Sequence, residues 1–255
     1  MSLTRRVIVC LDVQGGRVVK GTRFAGLRDV GDPVQLAARY EAEGADEIIF
    51  LDIAAAHEQR GTLLALAQRT AERLSIPLTI GGGIRSADDI ADALRAGADK
   101  VSVNSAAVRC PALLTDGARR FGAQCIVASI DAKTDGSAWR VYTAGGRIPT
   151  EWDAVTWARE CVARGAGEIL LTSIDRDGTR DGYDLALTRA VAAAVNVPVI
   201  ASGGAGNASH VCDAIISGGA DCALVAGILH DGATSVRDIK AAMRAATLPV
   251  REVAA

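Results

Sequence analysis

One segment of this chain occurs twice, at Ile80–Ala107 and in altered form at Ala201–Ile228. Each copy predicts the end of a β-strand, a glycine turn, a helix, a Gly-Ala-Asp turn and a second strand. Two similar halves of alternating strands and helices imply one closed β/α barrel, with two related sets of loops on one rim. We therefore expect the functional residues on that rim.

Other landmarks recur at nearly the same spacing. Asp12 and Asp131, each at the end of an apolar strand, are 119 positions apart, and Gly82 and Gly203 are 121 apart. Apolar runs such as IVCL and CIVASI are continuous, which is typical of parallel strands buried on both faces. The sequence thus predicts an α/β fold, a (β/α)8 TIM barrel with internal half-barrel duplication.

The length of the chain agrees with a single domain. Its 255 residues match a barrel of this kind, which has roughly 250 residues. No linker or low-complexity stretch divides it, so we expect one domain over 1–255 with half-barrels at about 1–122 and 123–255.

Composition excludes several classes of partner. The net charge of −2, without a run of Lys or Arg, predicts no nucleic-acid binding. No apolar run approaches the ~18 residues of a membrane helix, and the N-terminus carries no signal-peptide pattern. The six cysteines form no CxxC pair and are expected as small buried thiols of a reducing compartment. A cytoplasmic protein is the expectation.

Local signals predict several element ends. Asp32 and Pro33 are expected to start the first helix and Gly44 to end it, while Ser86 with Asp89 predicts a capped third helix. The segment after Asp12 could form a short hairpin that serves as a lid. A second hairpin is expected to turn at Thr134–Gly136.

Polar residues collect at the predicted carboxyl ends of the strands, where such barrels place their active sites. Asp12 and Asp131 end the first and fifth strands, on opposite sides of an eight-strand ring, so a bound substrate would lie between two carboxylates. This arrangement suits general acid/base catalysis if the two carboxylates differ in protonation state. The alternative is that each aspartate only caps the loop that follows it.

Glycine turns lie at matching places in the two copies. Gly81-Gly82-Gly83 and Gly203-Gly204 would let backbone N–H groups approach an anion closely, because no Cβ intervenes. Helix N-termini nearby add partial positive charge, and the Asn104-Ser105 and Ala226-Gly227 turns complete each half. Two phosphate sites on opposite sides of the mouth would follow, although βα loops use glycine for other reasons as well.

Four charged residues begin strands and should surround the opposite mouth, namely Arg6, Glu47, Lys100 and Glu168. The alternation of side chains along a strand points Arg6, Lys100 and Glu168 into the barrel. They could be solvated strand ends, an ion-pair plug, or a gate or docking surface at the bottom.

Metal and covalent chemistry are not predicted. The histidines His57, His210 and His230 are far apart and lack ligand spacing. The chain has no GxSxG elbow, no Walker loop and no GxGxxG after the first strand. We expect no metal site and no cofactor.

Together, these segments carry a resemblance to a known family: CLDVQGGRVVKGTRF, FLDI, GGGIRS, DKVSVNSAA, SIDAK, GAGEILLTSIDRDGTRDGYD and IASGGAG. The chain resembles the cyclase subunit of imidazole glycerol phosphate synthase over essentially its whole length. The resemblance implies a histidine-biosynthesis enzyme that forms a heterodimer with a glutaminase subunit. Ammonia from glutamine would react with an elongated bisphosphate, yielding imidazole glycerol phosphate and aminoimidazole carboxamide ribotide.

The resemblance also implies residue roles. Asp12 and Asp131 would be the acid/base pair, and Lys20 the lysine of the lid loop. Residues near the first phosphate would be Gly82, Asn104 and Ser105. Residues near the second would be Asp177, Gly178, Gly204, Ala226 and Gly227. Substrate contacts between them would come from Asp52, Thr172 and Ser202. Arg6, Glu47, Lys100 and Glu168 would form a charged ring on the ammonia path, with Asp99 at the glutaminase interface.

Two departures from the family pattern affect loops. The family usually has Ala-Ser where this chain has Ala226-Gly227, so a hydroxyl donor to the second phosphate is missing. Glu151-Trp152 stands where the family tends to Thr-Gly. Neither departure involves the two aspartates.

Two alternatives remain open at this point. The sister ribotide isomerase of histidine biosynthesis shares the barrel, the duplication and the paired aspartates, although TSIDRDGTRDGYD and GRVVKGTRF favour the cyclase. A non-catalytic barrel that binds a sugar phosphate is the alternative from another class. Asp131→Asn would discriminate, since unchanged turnover would exclude the acid/base pair.

Overall fold

Eight parallel strands close into a barrel in the computed structural model, which describes residues 3–22, 25–53 and 60–252. The strands, in order around the barrel, are β1 (Arg6–Gln14), β4 (Glu47–Asp52), β5 (Leu78–Gly81), β6 (Lys100–Val103), β7 (Ile126–Asp135), β10 (Glu168–Ser173), β11 (Val199–Ser202) and β12 (Cys222–Val225). The pairing of β12 with β1 closes the ring, which confirms the predicted (β/α)8 barrel.

Helices cover the outside of the barrel. They are α1 (Pro33–Glu43), α2 (Arg60–Ala71), α3 (Ala87–Arg95), α4 (Ser105–Arg109), α5 (Ala112–Phe121), α6 (Ala154–Ala163), α7 (Leu185–Ala192), α8 (Ala208–Ile216), α9 (Gly227–His230) and α10 (Val236–Ala245). The sequence predicted the starts of α1 and α3 after Asp32 and Ser86. It did not predict α4 and α9, which begin at Ser105 and Gly227 in corresponding places of the two copies.

The predicted helix signals are satisfied by hydrogen bonds. The Asp32 side chain accepts from the Gln35 amide at 3.0 Å, and Gly44 ends α1 in the left-handed conformation. Ser86 and Asp89 form the expected reciprocal cap of α3. These bonds satisfy backbone groups that the helix itself leaves unpaired.

Two antiparallel hairpins rise from the rim. The first contains β2 (Arg17–Thr22) and β3 (Ala25–Gly31), and the second β8 (Ala138–Thr143) with β9 (Ile148–Asp153). β1 and β7 run past Asp12 and Asp131 to pair with β2 and β8, so these strands are longer than predicted. Asp135 pairs with Ala138, so the second hairpin turns between these two residues, slightly later than the predicted turn at Thr134–Gly136. β9 was not predicted; it places Glu151 and Trp152 in a strand.

The barrel separates two apolar cores. The larger lies between strands and helices and includes Tyr40, Phe50 and Trp157. The smaller fills the barrel interior with Ile8, Cys10, Ile49, Val127, Leu170, Ile200, Cys222 and Leu224. These inner residues establish which side chains of each strand face the axis, because successive side chains alternate.

Gly-Ala-Asp turns tie neighbouring strands together at the amino end of the barrel. The carboxylates of Asp46, Asp99 and Asp221 accept from the backbone N–H groups of Val7, Leu78 and Val199 at 2.8, 2.8 and 3.2 Å. The fourth such turn has Gly167 instead of aspartate, because a Cβ there would collide with the Ala123 carbonyl oxygen.

The cysteine prediction is partly wrong. Cys10, Cys161, Cys212 and Cys222 are buried, but Cys110 is exposed and Cys125 lies half-buried in a short 3-10 turn (Ala123–Cys125).

His57 falls outside the described residues. Within the described ranges, no helix is long and apolar enough to cross a membrane.

Candidate active site at the carboxyl ends of the strands

Asp12 and Asp131 lie on the inner face of the barrel near its carboxyl mouth. Asp12 follows Ile8 and Cys10 on the inward face of β1, and Asp131 has the same relation to Val127 on β7. The Cys10 thiol donates to Asp12 at 3.5 Å, and the Asn104 amide donates to Asp131 at 3.0 Å. The two carboxylates thus occupy corresponding places but have different donors.

Burial raises the pKa of both carboxyl groups to about 6. In each case desolvation outweighs the opposing effect of the side-chain donor, and the negative charge of Asp177 adds to the rise. Burial also raises the pKa of Asp177. The mouth therefore contains three carboxyl groups that take up protons more readily than ordinary aspartates, as acid/base catalysis near neutral pH requires.

Thr172 and Ser202 lie level with Asp131 along the barrel wall. Thr172 pairs in register with Asp131 on one side and with Ser202 on the other. Thr172 is on the same face of β10 as the inner residue Leu170, so its hydroxyl group lines the mouth beside the carboxylate. The structure therefore groups these two predicted substrate contacts with Asp131.

The glycine turns pack against the ends of neighbouring strands. Gly82 has φ of 86°, and a Cβ there would collide with the Asp52 carbonyl oxygen. Gly203 has φ of 90°, and its Cβ would lie 2.8 Å from the Ser173 carbonyl oxygen. Gly204 is equally constrained by the Gly182 carbonyl oxygen. These positions thus require glycine for two reasons, the positive φ angle and the close packing.

Asp52 has an environment different from that of the other predicted substrate contacts. It pairs in register with Val13, whereas the inward-facing Leu51 pairs with Asp12. The alternation along β4 therefore directs Asp52 away from the axis, beneath the turn at Gly82. Its position supports the shape of the glycine turn.

The short helices α4 and α9 begin beside these turns. Ser105 is the first residue of α4, and its Oγ accepts from the Ala144 amide of the second hairpin at 2.9 Å. Gly227 is the first residue of α9, and its carbonyl oxygen accepts from the Lys20 ammonium at 3.1 Å. Each hairpin is therefore attached to the start of a short helix at the rim.

The four charged residues at the opposite end form one closed network. Glu47 accepts from Arg6 at 3.2 Å and from Lys100 at 2.8 Å, and Glu168 accepts from the same two cations at 2.7 and 2.8 Å. The second oxygen of Glu47 accepts from the Thr79 hydroxyl at 2.5 Å. Glu47 joins the inward set, which the sequence indicated for the other three. Asp99 is exposed beside this network.

Comparison with known proteins identifies relatives of this architecture. Residues 6–235 match the model of the family described as histidine biosynthesis protein. Over 251 residues the chain is 72% identical to "Imidazole glycerol phosphate synthase subunit HisF" of Myxococcus xanthus, covering 98% of this chain and 99% of the relative. It is 57% identical to the proteins of the same name from Anoxybacillus flavithermus and Geobacillus thermodenitrificans, covering 98% of this chain and all of each relative.

The chain belongs to the family of imidazole glycerol phosphate synthase subunit HisF. The resemblance read from the motifs is therefore confirmed, and the relatives carry the name of the synthase rather than that of the sister isomerase.

Some charged residues of the rim were missed by sequence reasoning. Asp231, after α9, forms ion pairs with Lys20, Arg28 and Arg180. No motif signals this cluster, because the residues come from three distant segments. His230, next to Asp231, is half-buried, with its ring between the Tyr40 hydroxyl at 2.8 Å and the Cys10 carbonyl oxygen at 3.1 Å.

The donor set of the described residues does not resemble a metal site. Within those residues, no three side chains of the types His, Cys, Asp or Glu are grouped so that they could hold an ion. Asp12 and Asp131, which face the barrel axis, and the loop residue Asp177 instead have raised pKa values, a property suited to proton transfer.

Proposed function

We propose that this chain uses ammonia to convert an elongated ribulosyl bisphosphate into imidazole glycerol phosphate, releasing aminoimidazole carboxamide ribotide. Membership of the HisF family supports this function. The observation that carries the site assignment is the pair of inward carboxyl groups, Asp12 and Asp131, whose pKa values are both raised to about 6. Carboxyl groups of this kind can both take and give protons near neutral pH.

The chemistry requires several proton transfers. Addition of ammonia to a substrate carbonyl requires a proton on the developing oxygen and removal of one from nitrogen, and the oxygen needs a second proton to leave as water. Breaking the carbon–nitrogen bond to the carboxamide ribotide requires a proton on the leaving nitrogen. Asp12 and Asp131 would share these steps, one ionised as base while the other is protonated as acid. Because both interact with Asp177, the protonation state of each carboxyl group depends on the charges of the others.

The two phosphates of the substrate would bind at the two glycine turns. One would lie near Gly82, Asn104 and Ser105, and the other near Gly178, Gly203, Gly204, Ala226 and Gly227, with Asp177 alongside. Left-handed glycines allow backbone N–H groups to converge on an anion without steric hindrance. The placement of these turns beside the two rim helices α4 and α9 supports this assignment. Thr172 and Ser202 would contact the chain of the substrate between its phosphates.

A glutaminase subunit is the proposed partner. The relatives are named as subunits of a synthase, so each implies at least one further subunit. Ammonia would enter at the end opposite the active site, through the Arg6–Glu47–Lys100–Glu168 network. Because each glutamate binds both cations, separation of one of these ion pairs would widen the passage for ammonia along the axis. Asp99 lies exposed beside the network and would contribute to the docking surface.

The direct test supplies ammonia without a partner. Purified protein is incubated with the formimino bisphosphate and ammonium chloride at alkaline pH, where free ammonia is available. Formation of the imidazole product, together with its loss in Asp12→Asn, would support both the activity and the site. Isomerisation of the aldose precursor instead would assign the chain to the sister reaction. Binding of the bisphosphate without either reaction would leave a non-catalytic phosphate-binding barrel.

A further inference from the structure

The first hairpin places two cations directly opposite each other. Lys20 of β2 pairs in register with Arg28 of β3. Like charges in opposed positions of an antiparallel ladder are destabilising. An anion close to both side chains would offset this cost.

The side chain of Asp231 provides that anion from the other half of the barrel. One of its oxygens binds Arg28, and the other binds Lys20 and also Arg180, which lies between β10 and α7. The Lys20 ammonium reaches the Gly227 carbonyl oxygen at 3.1 Å as well. A single carboxylate thus connects the hairpin to the two loops beside the proposed second phosphate site.

Asp231 is itself held in a well-defined place. Its backbone N–H donates to the Gly227 carbonyl oxygen at 3.0 Å. The preceding His230 is neutral, because burial lowers its pKa to about 4. Its Nε2–H therefore donates to the Cys10 carbonyl oxygen, and its Nδ1 accepts from the Tyr40 hydroxyl. The carboxylate is anchored to the inner strand β1 and helix α1 through its neighbour.

Charge around Asp231 is unbalanced in favour of the cations. Lys20, Arg28 and Arg180 carry three positive charges against one carboxylate. Hydrogen bonds from Lys20 and Arg180 lower the pKa of Asp231, so it stays ionised. The backbone of Arg180 also packs against Gly206, two residues after the Gly203-Gly204 turn, because a Cβ on Gly206 would collide with the Arg180 carbonyl oxygen. The excess positive charge therefore lies where the second phosphate is proposed to bind.

We propose that Asp231 is a positioning residue that holds the first hairpin against the second half of the mouth and sets the Lys20 ammonium beside the Gly227 turn. This inference rests on the proposed function for its effect on turnover, but not for its effect on the hairpin. Asp231 does not touch the reacting atoms; it acts through Lys20. Removing its charge should loosen the hairpin while leaving three cations to attract phosphate.

The test compares Asp231→Asn with Asp29→Asn. Asp29 is a matched control because it lies in the same hairpin, where it pairs with Arg17 and both side chains are half exposed. For Asp231→Asn we expect kcat with ammonium chloride to fall about tenfold or more, because small displacements of a reacting group are costly. Backbone hydrogen exchange in residues 17–22 and 25–31 should accelerate by a similar factor. Inorganic phosphate should bind as tightly as before or about threefold more tightly, since a nearby negative charge is lost. The control should change each quantity by less than about twofold.

A purely structural role for Asp231 would give a different pattern. Loss of kcat, phosphate affinity and thermal stability in parallel would overturn the proposal, as would unchanged exchange in the hairpin. Asp231→Glu keeps the charge and should recover part of kcat and slow the exchange again. Lys20→Ala should abolish most of the effect of Asp231→Asn on kcat. If the parent protein shows no turnover, the proposed function fails, and the hydrogen-exchange comparison still decides whether Asp231 holds the hairpin.

Discussion

Buried carboxylates have different partners at the two ends of the barrel. At the carboxyl mouth, Asp12 accepts from the Cys10 thiol and Asp131 from the Asn104 amide, both neutral donors, and burial raises the pKa of both carboxyl groups to about 6. At the amino end, Glu47 and Glu168 are also buried, but each contacts both Arg6 and Lys100. Among the described residues, the carboxylates at the amino end are therefore paired with cations, whereas those at the mouth accept from neutral donors.

This difference suits the carboxyl groups at the mouth to proton transfer and the glutamates at the amino end to a structural role. An ionised group that loses water without gaining a cation is raised in free energy, and it can relax by accepting a proton. A paired carboxylate gains little from a proton, and removing one partner leaves the other buried without compensation. We therefore expect neutral substitutions at the two ends to have opposite effects on stability.

The largest expected effect is on turnover at the mouth. Asp131→Asn and Asp12→Asn should each lower kcat in the ammonium chloride assay by about 10³-fold, as loss of general acid/base catalysis typically does. Asp213→Asn, on the exposed face of α8, is the control and should keep full activity. Retention of more than about a tenth of the parent kcat in either mouth variant would exclude that aspartate from the proton transfers.

The next effect concerns stability at the amino end. Glu47→Gln should lower the free energy of unfolding by about 3 kcal/mol or more, because it leaves Arg6 and Lys100 with one carboxylate between them. Urea unfolding measures this change. Glu160→Gln removes a more exposed ion pair with Arg164 on α6 and should cost only about 0.5 kcal/mol. Equal costs for both variants would mean that the buried network contributes no more than a surface pair.

The opposite sign is expected for Asp12→Asn. The folded pKa of Asp12, about 6, exceeds the ordinary value of 3.8, so the unfolded chain loses this proton first as pH rises. The parent therefore loses stability between about pH 4 and pH 6, by up to about 3 kcal/mol, and stays at the lower level above that range. Asp12→Asn avoids this loss. Urea unfolding should show it to be more stable than the parent at pH 8, with the advantage shrinking toward pH 4. A destabilised variant at pH 8 would mean that the ionised carboxylate is well stabilised in the mouth.

The smallest effect is expected at the second phosphate turn. In Gly227→Ser, the new Cβ would lie 3.2 Å from the end of the flexible Lys20 side chain, which needs to move only slightly. The added hydroxyl could donate to phosphate and contribute about 1 kcal/mol to binding. Isothermal titration with inorganic phosphate should show up to about fivefold tighter binding, with kcat nearly unchanged. Weaker phosphate binding would indicate that the position of Lys20 matters more than the hydroxyl.

Much of the barrel could be predicted because its signals are local. Continuous apolar runs indicated several of the eight strands, and Asp32, Gly44 and Ser86 indicated helix ends by hydrogen bonds made within a few residues. The duplicated glycine turns placed the candidate site on one rim. The short helices α4 and α9 were missed because four or five residues carry no periodic pattern.

The candidate site was predicted less completely. Motif resemblance supplied its residues, but not the Cys10 and Asn104 donors that distinguish Asp12 from Asp131. It also did not indicate that Asp52 lies on the outward register of β4. These are details of register and of cross-strand contact, which depend on how strands are aligned after folding.

The order of residues along the chain determines the repeated βα units, the buried strands and the positions of two aspartates 119 residues apart. Closure of the barrel determines which partners those residues contact and how deeply they are buried. It joins Arg6 and Lys100 to the same two glutamates, and it brings Asp231 to Lys20 across 211 positions of sequence. Charges interact through space and respond to the water that surrounds them, so their pairing and their pKa values arise when distant segments meet.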